Sequence, residues 1–465
     1  MTMTPMDLTG RHVVVMGAGR SGLAASQLLA SRGARVVLVD DRALDEDAVA
    51  SLVALGVDVR AGGMTPEASV GAHLVVVSPG VPIDHPAVAA ARDRGLPVIG
   101  ELELAWRHLA GPVIAITGSK GKSTTTTLIG RMLEAGGRTV QVGGNIGVAL
   151  SAQAASSTPD TWHVVETSSF QLETIEHFRP QIAVWLNFSP DHLDRHGTVE
   201  VYEAAKARVF ENQTASDWAV VNADDPVVQQ AAARGAARQR TFGAPATVRD
   251  GVTWTDRNVV LRHAAGAERP LVPLSGIALK GQHMLTNVLA ACAVADLVGV
   301  SPDAMEAALA GFTGLEHALE PVGEVGGVQV FNDSKATNVD AALKGIEAFD
   351  ARVVAIVGGV YKGGDFGLLA APLAARGGAA VVIGEAADRI DEALQGRVPV
   401  ARAASMDEAV TLALERARPG DVVVLAPACS SFDMFRDYAD RGRAFKAAVA
   451  RARAAATGGA GANEQ

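Results

Sequence analysis

Short, unbroken runs of β-branched and aliphatic residues recur along the chain. Each is closed by a polar or glycine-rich turn, and Ala/Leu-rich stretches lie between them. These runs lack the alternation of a strand with one wet face, so they predict strands covered on both faces. Their alternation with helical stretches predicts βαβ units around parallel sheets. Val13–Met16, Val36–Val39 and Leu74–Val77 form a first set, with a helix expected over Leu23–Ser31. A fresh unit opens at Gly111-Pro112, where Val113–Ile116 runs into a glycine-rich turn, and strands follow at His163–Val165, Ile182–Leu186 and Trp218–Val221. Val353–Val357, Ala380–Ile383 and Val422–Leu425 make a third set. No repeat of about 20–50 residues is present. The expected fold class is α/β with three domains, over residues 1–110, 111–314 and 315–465. The tail Thr457–Gln465 is small and polar and is expected to fray.

Composition narrows the class. The 465 residues match three domains at about 150 residues each. With 48% hydrophobic and 20% charged residues, the chain can fill several cores and is not a disordered polyelectrolyte. Lys and Arg number 41 against 51 Asp and Glu, a net charge of −10. That balance argues against binding along a nucleic-acid backbone, which needs a basic face, but leaves room for local anion sites. The two cysteines, Cys292 and Cys429, exclude a disulfide framework and a thiolate zinc site and fit a reducing cytoplasm. No apolar run reaches the ~18–20 residues of a membrane span, and the N-terminus lacks a signal-peptide layout. A cytoplasmic protein without membrane insertion is expected.

Ligands of open parallel sheets bind beyond the carboxyl ends of the strands, so the strand endings hold the candidate chemistry. Gly17-Ala18-Gly19-Arg20-Ser21-Gly22 follows the first strand and opens a helix, with Asp40 23 residues beyond Gly17. Taken alone, this satisfies a dinucleotide fingerprint, with the acid on a ribose hydroxyl. It equally fits another nucleotide gripped by Asp40, Asp41 and Arg42, or a tight turn with no ligand. Ser78-Pro79-Gly80 ends a neighbouring strand in a similar turn.

The second turn is more specific. Thr117-Gly118-Ser119-Lys120-Gly121-Lys122-Ser123-Thr124 follows a strand and opens a helix, although Ile116 stands where a strict Walker pattern has its first glycine. Gly118 and Gly121 let backbone N–H groups face phosphate oxygens at a helix N-terminus. Lys122 supplies a cation for the terminal phosphates and Ser123 a hydroxyl for Mg²⁺. A nucleoside triphosphate site follows, which leaves kinase, NTPase and ligase open.

Glu166, at a strand end before Thr167-Ser168-Ser169-Phe170-Gln171, reads either as a Walker-B carboxylate or as a solvated acidic strand end. The stretch Asn187-Phe188-Ser189-Pro190-Asp191-His192-Leu193-Asp194-Arg195-His196-Gly197 concentrates polar groups after the next strand, and hard-cation chemistry with phosphates suits Mg²⁺ better than a transition metal. Lys206 sits on a helix that Thr198 can cap. It is either a solvated lysine or a neutral amine that adds CO₂ and becomes an anionic metal ligand. Asn332-Asp333-Ser334-Lys335-Ala336-Thr337-Asn338 clusters one cation with hydroxyls and amides, as an anionic co-substrate requires. Gly358–Gly364 ends another strand with Lys362, and Ala428-Cys429-Ser430-Ser431 ends the last with paired hydroxyls. No histidine follows Cys429 in the chain, and it reads as a buried small residue.

In this order, TGSKGKST, GGNIG at Gly143–Gly147, ETSSFQL, DHLDRHG, YEAAK, NDSKATN and PACSSFD resemble the bacterial Mur ligases, in the branch that adds D-glutamate. The resemblance spans nearly the whole chain. It implies a Rossmann-like first domain holding a uridine diphosphate, a central P-loop-type ATPase domain and a Rossmann-like last domain holding D-glutamate. It also implies ATP-dependent amide formation on UDP-N-acetylmuramoyl-L-alanine through an acyl phosphate, by a monomer. By family similarity Gly118, Ser119, Lys120, Gly121, Lys122, Ser123, Thr124 and Asn287 hold ATP, and Ser123 and Glu166 serve a first Mg²⁺. His192 and Lys206, as a carbamate, serve a second. Arg20, Ser21, Asp40, Asp41, Arg42, Gly80 and Asn145 take the UDP-sugar, and Lys335, Thr337, Lys362, Ser431 and Tyr438 the D-glutamate. The dinucleotide reading is then the weaker one. Two positions depart from the family pattern. Met284 replaces the asparagine after His283, and Ala318 replaces the arginine after His317. Both family positions lie near ATP, so altered nucleotide contacts are expected.

Overall fold

The computed structural model describes residues 6–41, 46–279, 281–361 and 363–460. Among them the strands form three sheets. The first contains β1 (His12–Met16), β2 (Arg35–Asp40), β3 (Asp58–Ala61), β4 (Leu74–Val77) and β5 (Val98–Gly100), all parallel, in the order β3-β2-β1-β4-β5. Val13, Val15 and Leu38 face one core with Leu28 and Leu29 of the helix Arg20–Ser31. Val14, Met16 and Val39 face another with Val88 and Ala91. Both faces are covered, which explains why these strands read as continuous apolar runs. The chain leaves β1 for β2 on one side and returns to β4 on the other. The crevice at that switch point lies between Gly17–Gly22 and Ser78–Gly80.

The second sheet has nine strands, β6 (Val113–Thr117), β7 (Thr139–Gly144), β8 (Thr161–Glu166), β9 (Ile182–Trp185), β10 (Trp218–Asn222), β11 (Arg238–Phe242), β12 (Gly251–Trp254), β13 (Asn258–Arg262) and β14 (Glu268–Pro273). Their order is β14-β13-β12-β11-β10-β9-β6-β8-β7, with only β12–β13 and β13–β14 antiparallel. Strand β6 is therefore paired by β8 on one side and β9 on the other.

The third sheet contains β15 (Glu320–Val325), β16 (Val328–Asn332), β17 (Val353–Gly358), β18 (Ala379–Ile383), β19 (Val400–Ala403) and β20 (Val422–Leu425) in the order β15-β16-β20-β17-β18-β19. All its pairs are parallel except β15–β16. The chain divides into two compact units, residues up to 278 with 282–311, and 279–281 with 312 onward. The first unit thus contains two sheets.

Strands β3, β7, β11 and β19 were not apparent as apolar runs, because exposed residues interrupt them. The last helix, Tyr438–Ala460, carries four residues of the tail expected to fray; residues 461–465 lie outside the described residues.

Candidate active site

The second glycine-rich turn hangs from the end of β6. Gly118 (φ +153) and Gly121 (φ +81) adopt backbone conformations that L side chains rarely take, and Gly121 precedes the helix Lys122–Ala135. Asn187, after β9, stitches this turn. Its Oδ1 accepts the Lys120 N–H at 2.9 Å, its Nδ2 donates to Lys120 O at 3.1 Å, and its own carbonyl accepts the Ser119 N–H at 3.0 Å. Lys122 folds back, Nζ donating to Gly118 O at 2.9 Å and Ser119 O at 3.1 Å. Thr124 is buried one position beyond Ser123. Asn287, on the helix Gln282–Val298, occupies the space in front of Gly121, where a Cβ would overlap its Oδ1.

Glu166 ends β8, beside β6, and is buried. Its Oε2 accepts the Ser123 hydroxyl at 2.6 Å and its Oε1 the Asn145 amide at 2.7 Å. Arg20, from the first glycine-rich turn, donates to the Asn145 carbonyl at 2.9 Å. Four residues from distant parts of the chain therefore form one hydrogen-bonded line, Arg20–Asn145–Glu166–Ser123. A serine hydroxyl and a carboxylate oxygen at the foot of such a glycine-rich turn are hard oxygen donors of the kind that Mg²⁺ takes.

Lys206 lies on the helix Val199–Ala207, which Thr198 caps by accepting the Val201 N–H. Its side chain is buried, with Nζ donating to Gly118 O at 2.9 Å and lying 4.7 Å from the Tyr202 ring centre. Burial pushes its pKa well below the ordinary lysine value, with the nearby Lys122 charge adding to the effect; Asp191 and Glu166 oppose it. The solvated-lysine reading is thereby corrected. His192 is half exposed, in the left-handed region (φ +54), where it starts the single helical turn Leu193–His196, and Phe170 packs edge-on 5.0 Å away.

In the first sheet Asp40 is buried and its Oδ2 accepts the Ala18 N–H at 2.7 Å, so one carboxylate oxygen steadies the glycine-rich turn. Asp41 stands exposed, 3.5 Å from His85 Nε2. Ser21 lies at the start of the helix Arg20–Ser31, and Gly80 in the turn facing Gly17 across the crevice. Arg42 lies outside the described residues.

The third sheet brings its own loops together, because β16, β20 and β17 are adjacent and parallel. Lys335 and Thr337 follow β16, and Ser431 follows β20. Arg441, on the last helix, ties these loops from beneath. Its Nε donates to Ser334 Oγ at 2.9 Å and its Nη2 to Ser334 O at 2.8 Å, while Nη1 reaches Cys429 O at 3.1 Å and Gly358 O at 3.4 Å. Burial lowers its pKa to about 10. Ser431 is buried and Tyr438 is 40% exposed, beginning the helix whose carbonyl 438 accepts the Ser334 hydroxyl. Lys362 lies outside the described residues. Cys429 is buried, as expected of a small core residue, and burial raises its thiol to about 12.

Residues 11–100 match the Mur ligase MurD-like N-terminal domain, 116–295 the Mur ligase middle domain and 319–429 the glutamate ligase domain of Mur ligases. The chain is 50% identical over 455 residues to the UDP-N-acetylmuramoylalanine–D-glutamate ligase of Acidobacterium capsulatum, covering 97% of this chain and 98% of the relative. It is 44% identical to the protein of the same name from Koribacter versatilis, covering 96% and 98%. It belongs to the Mur ligase family. Among solved structures it shares the fold of the UDP-N-acetylmuramate–alanine ligase MurC of Thermotoga maritima, at 19% identity, TM-score 0.60 and coverage of 96% and 100%. A pseudomurein peptide ligase type C from Methanothermus fervidus gives 17% identity and TM-score 0.58 over 95% and 100%.

The structure brings together Arg20, Asn145, Glu166 and Ser123, all named from the sequence, and the match of the first segment to a MurD-like domain displaces the dinucleotide reading. The sequence pattern did not single out Asn187, Arg195, Tyr202 or Arg441. Asn187, Arg195 and Tyr202 stand within the polar stretches quoted from the sequence. Arg441, 1% exposed, stands among Asp440 and Arg443 with nothing in the sequence to set it apart from them. At the departure Met284, the thioether sulfur accepts from Asn287 Nδ2 at 3.7 Å, a weak acceptor for a buried amide.

Proposed function

We propose that this chain joins D-glutamate to UDP-N-acetylmuramoyl-L-alanine, with ATP as the energy source, in the synthesis of the peptidoglycan precursor. The observation that supports this best is the Glu166 carboxylate. One oxygen is tied to Ser123 of the phosphate turn and the other to Asn145, which the first glycine-rich turn reaches through Arg20. A group serving the phosphates is thus one residue away from a group placed to orient the acyl substrate. The relatives named for this reaction add to the reading.

In the reaction, a carboxylate oxygen of the alanine attacks the γ-phosphorus and ADP leaves, giving an acyl phosphate. The D-glutamate amine then attacks the carbonyl carbon, and the tetrahedral adduct expels phosphate as the amide forms. A carboxylate is a poor electrophile until it carries such a leaving group. Mg²⁺, when bound, screens the repulsion between the anionic reactants.

The residues fit these tasks. Gly118–Thr124 and Asn287 take ATP, with Lys122 swinging from Gly118 O to the phosphates. Ser123 and Glu166 supply oxygen ligands to one Mg²⁺. Lys206 as a buried amine of depressed pKa is suited to add CO₂, its nitrogen forming the N–C bond and releasing a proton, and the resulting carbamate with His192 would hold a second Mg²⁺. Arg20, Ser21, Asp40, Asp41, Arg42 and Gly80 surround the uridine diphosphate, and Lys335, Thr337, Lys362, Ser431 and Tyr438 hold the D-glutamate carboxylates. The three roles then fall to residues 1–110, 111–314 and 315–465, in a monomer working in the cytoplasm.

Phosphate release tests the proposal. It is expected only when UDP-N-acetylmuramoyl-L-alanine, D-glutamate, ATP and Mg²⁺ are all present, with equal turnover of ATP and amide. ATP binding without phosphate release would instead identify a nucleotide-binding relative with impaired catalysis, the reading that Met284 and Ala318 favour. NADH turnover would revive the dinucleotide reading.

A further inference from the structure

Arg195 has no place in the assignments above, yet its guanidinium joins two sheets. Nη1 donates to Pro79 O at 3.0 Å, and Nη2 to Val81 O at 3.1 Å and Glu173 Oε2 at 3.0 Å. Its Cζ lies 4.4 Å from the Phe170 ring centre, and the side chain is 13% exposed. Pro79 and Val81 belong to the turn after β4 in the first sheet, whereas Phe170 and Glu173 follow β8 in the second.

Each end of this bridge leads somewhere specific. The turn after β4 rests on the first glycine-rich turn, since a Cβ on Gly17 would meet Val81 Cγ2 at 2.6 Å and Ser78 Cβ at 2.9 Å. Arg195 itself sits in the single helical turn that begins at His192, whose carbonyl accepts the Arg195 N–H at 3.1 Å. The next residue, His196, is held at 3.2 Å from Glu173 Oε1 and at 3.0 Å from Ser169 Oγ, with its ring stacked on Phe170. A guanidinium with little access to water keeps its three acceptors, because each lost partner leaves a desolvated charge. Its fork reaches two carbonyls and a carboxylate at once, which an ammonium on a flexible stem cannot hold in one geometry.

We infer that Arg195 is a positioning residue that couples the nucleotide-sugar crevice to the metal ligand His192. Movement of the turn Pro79–Val81 when the UDP-sugar seats is passed through the guanidinium to the helical turn that aims His192. The acyl substrate thereby tightens the metal site at which its own carboxylate is activated. This inference rests on the proposed roles of Gly80 and His192.

Binding of Mn²⁺ as a Mg²⁺ surrogate, titrated on the full chain with and without UDP-N-acetylmuramoyl-L-alanine, tests it. In the unsubstituted protein the UDP-sugar is expected to tighten Mn²⁺ about tenfold, and by linkage Mn²⁺ to tighten the UDP-sugar equally. In Arg195→Lys the two ligands should bind independently, within twofold, while KM for ATP is unchanged and kcat falls. Glu173→Gln removes the carboxylate partner and keeps its shape, and should lose most of the coupling; it decides the matter should Arg195→Lys not fold. Coupling retained in either folded variant, or absent in the unsubstituted protein that still binds the UDP-sugar, overturns the inference. No binding of the UDP-sugar to the unsubstituted protein would overturn the proposed function itself.

Discussion

Lys122 and Lys206 share one acceptor: both side-chain nitrogens lie 2.9 Å from the carbonyl oxygen of Gly118. Burial, and after it repulsion from the Lys122 ammonium on the same oxygen, holds the Lys206 pKa well below the ordinary lysine value. The folded pKa of Lys206 is depressed, so between it and the ordinary lysine value the unfolded chain binds more protons, and stability rises with pH across that window. Replacing Lys206 by Met is expected to raise the thermal midpoint of the metal-free protein, by about 1–3 kcal/mol in stability. The same variant should lose activity at least a hundredfold. Lys206→Ala should regain part of it with a short added carboxylate; full activity in the unrescued variant would refute the carbamate.

Gly121→Ala should be far more damaging than its size suggests. The left-handed backbone at φ +81 costs an alanine about 1 kcal/mol, and the new methyl would drive Asn287 from its place. We expect KM for ATP to rise more than tenfold with KM for D-glutamate unchanged, both read from steady-state phosphate release.

Acid should destabilise the protein before its carboxylates protonate. His163 is buried, with Nδ1 2.8 Å from Gln153 Oε1 and Nε2 2.7 Å from Ser157 Oγ, and burial pushes its pKa down to about 4. The unfolded imidazole binds a proton near 6.5, so stability is lost as pH falls from 6.5 towards 4, by about 2 kcal/mol. His163→Gln should flatten the pH dependence of the urea midpoint over that interval; an unchanged slope would place the effect elsewhere.

The two departures from the family pattern predict a gain. Ala318 is partly exposed and lies between His317 and Leu319, both in the left-handed region. Ala318→Arg, and Met284→Asn with its stronger acceptor for the Asn287 amide, should each lower KM for ATP severalfold. An unchanged KM in both variants would show that nucleotide affinity has been recovered by other groups.

Much of this site was legible because its parts stand at strand ends. Leu74–Val77 and Val422–Leu425 were expected at the bounds observed, and Lys122, Ser123 and Glu166 follow from the β6 and β8 runs. Strands β11 to β14 were not legible. Arg238, Gln239 and Glu268–Pro270 put exposed residues into them, and two of their pairings are antiparallel, so no continuous apolar run marks them. Interactions spanning long separations were equally hidden. Arg441 bonds Ser334 across 107 residues and Arg195 bonds Pro79 across 116, and no local pattern encodes either partner.

The central position of β6 has a consequence for how the molecule can diverge. Glu166, Ser123 and Asn187 are set relative to one another by the ladders β6–β8 and β6–β9, whose registers allow no half-step. Phosphate chemistry is therefore fixed by backbone pairing that side-chain substitution hardly alters. Under the proposed assignment, the acceptor amino acid is instead read by loops after β16, β17 and β20 in the other compact unit. A change of acceptor specificity can be sought by exchanging those loops as a set over Arg441, leaving the activation machinery intact.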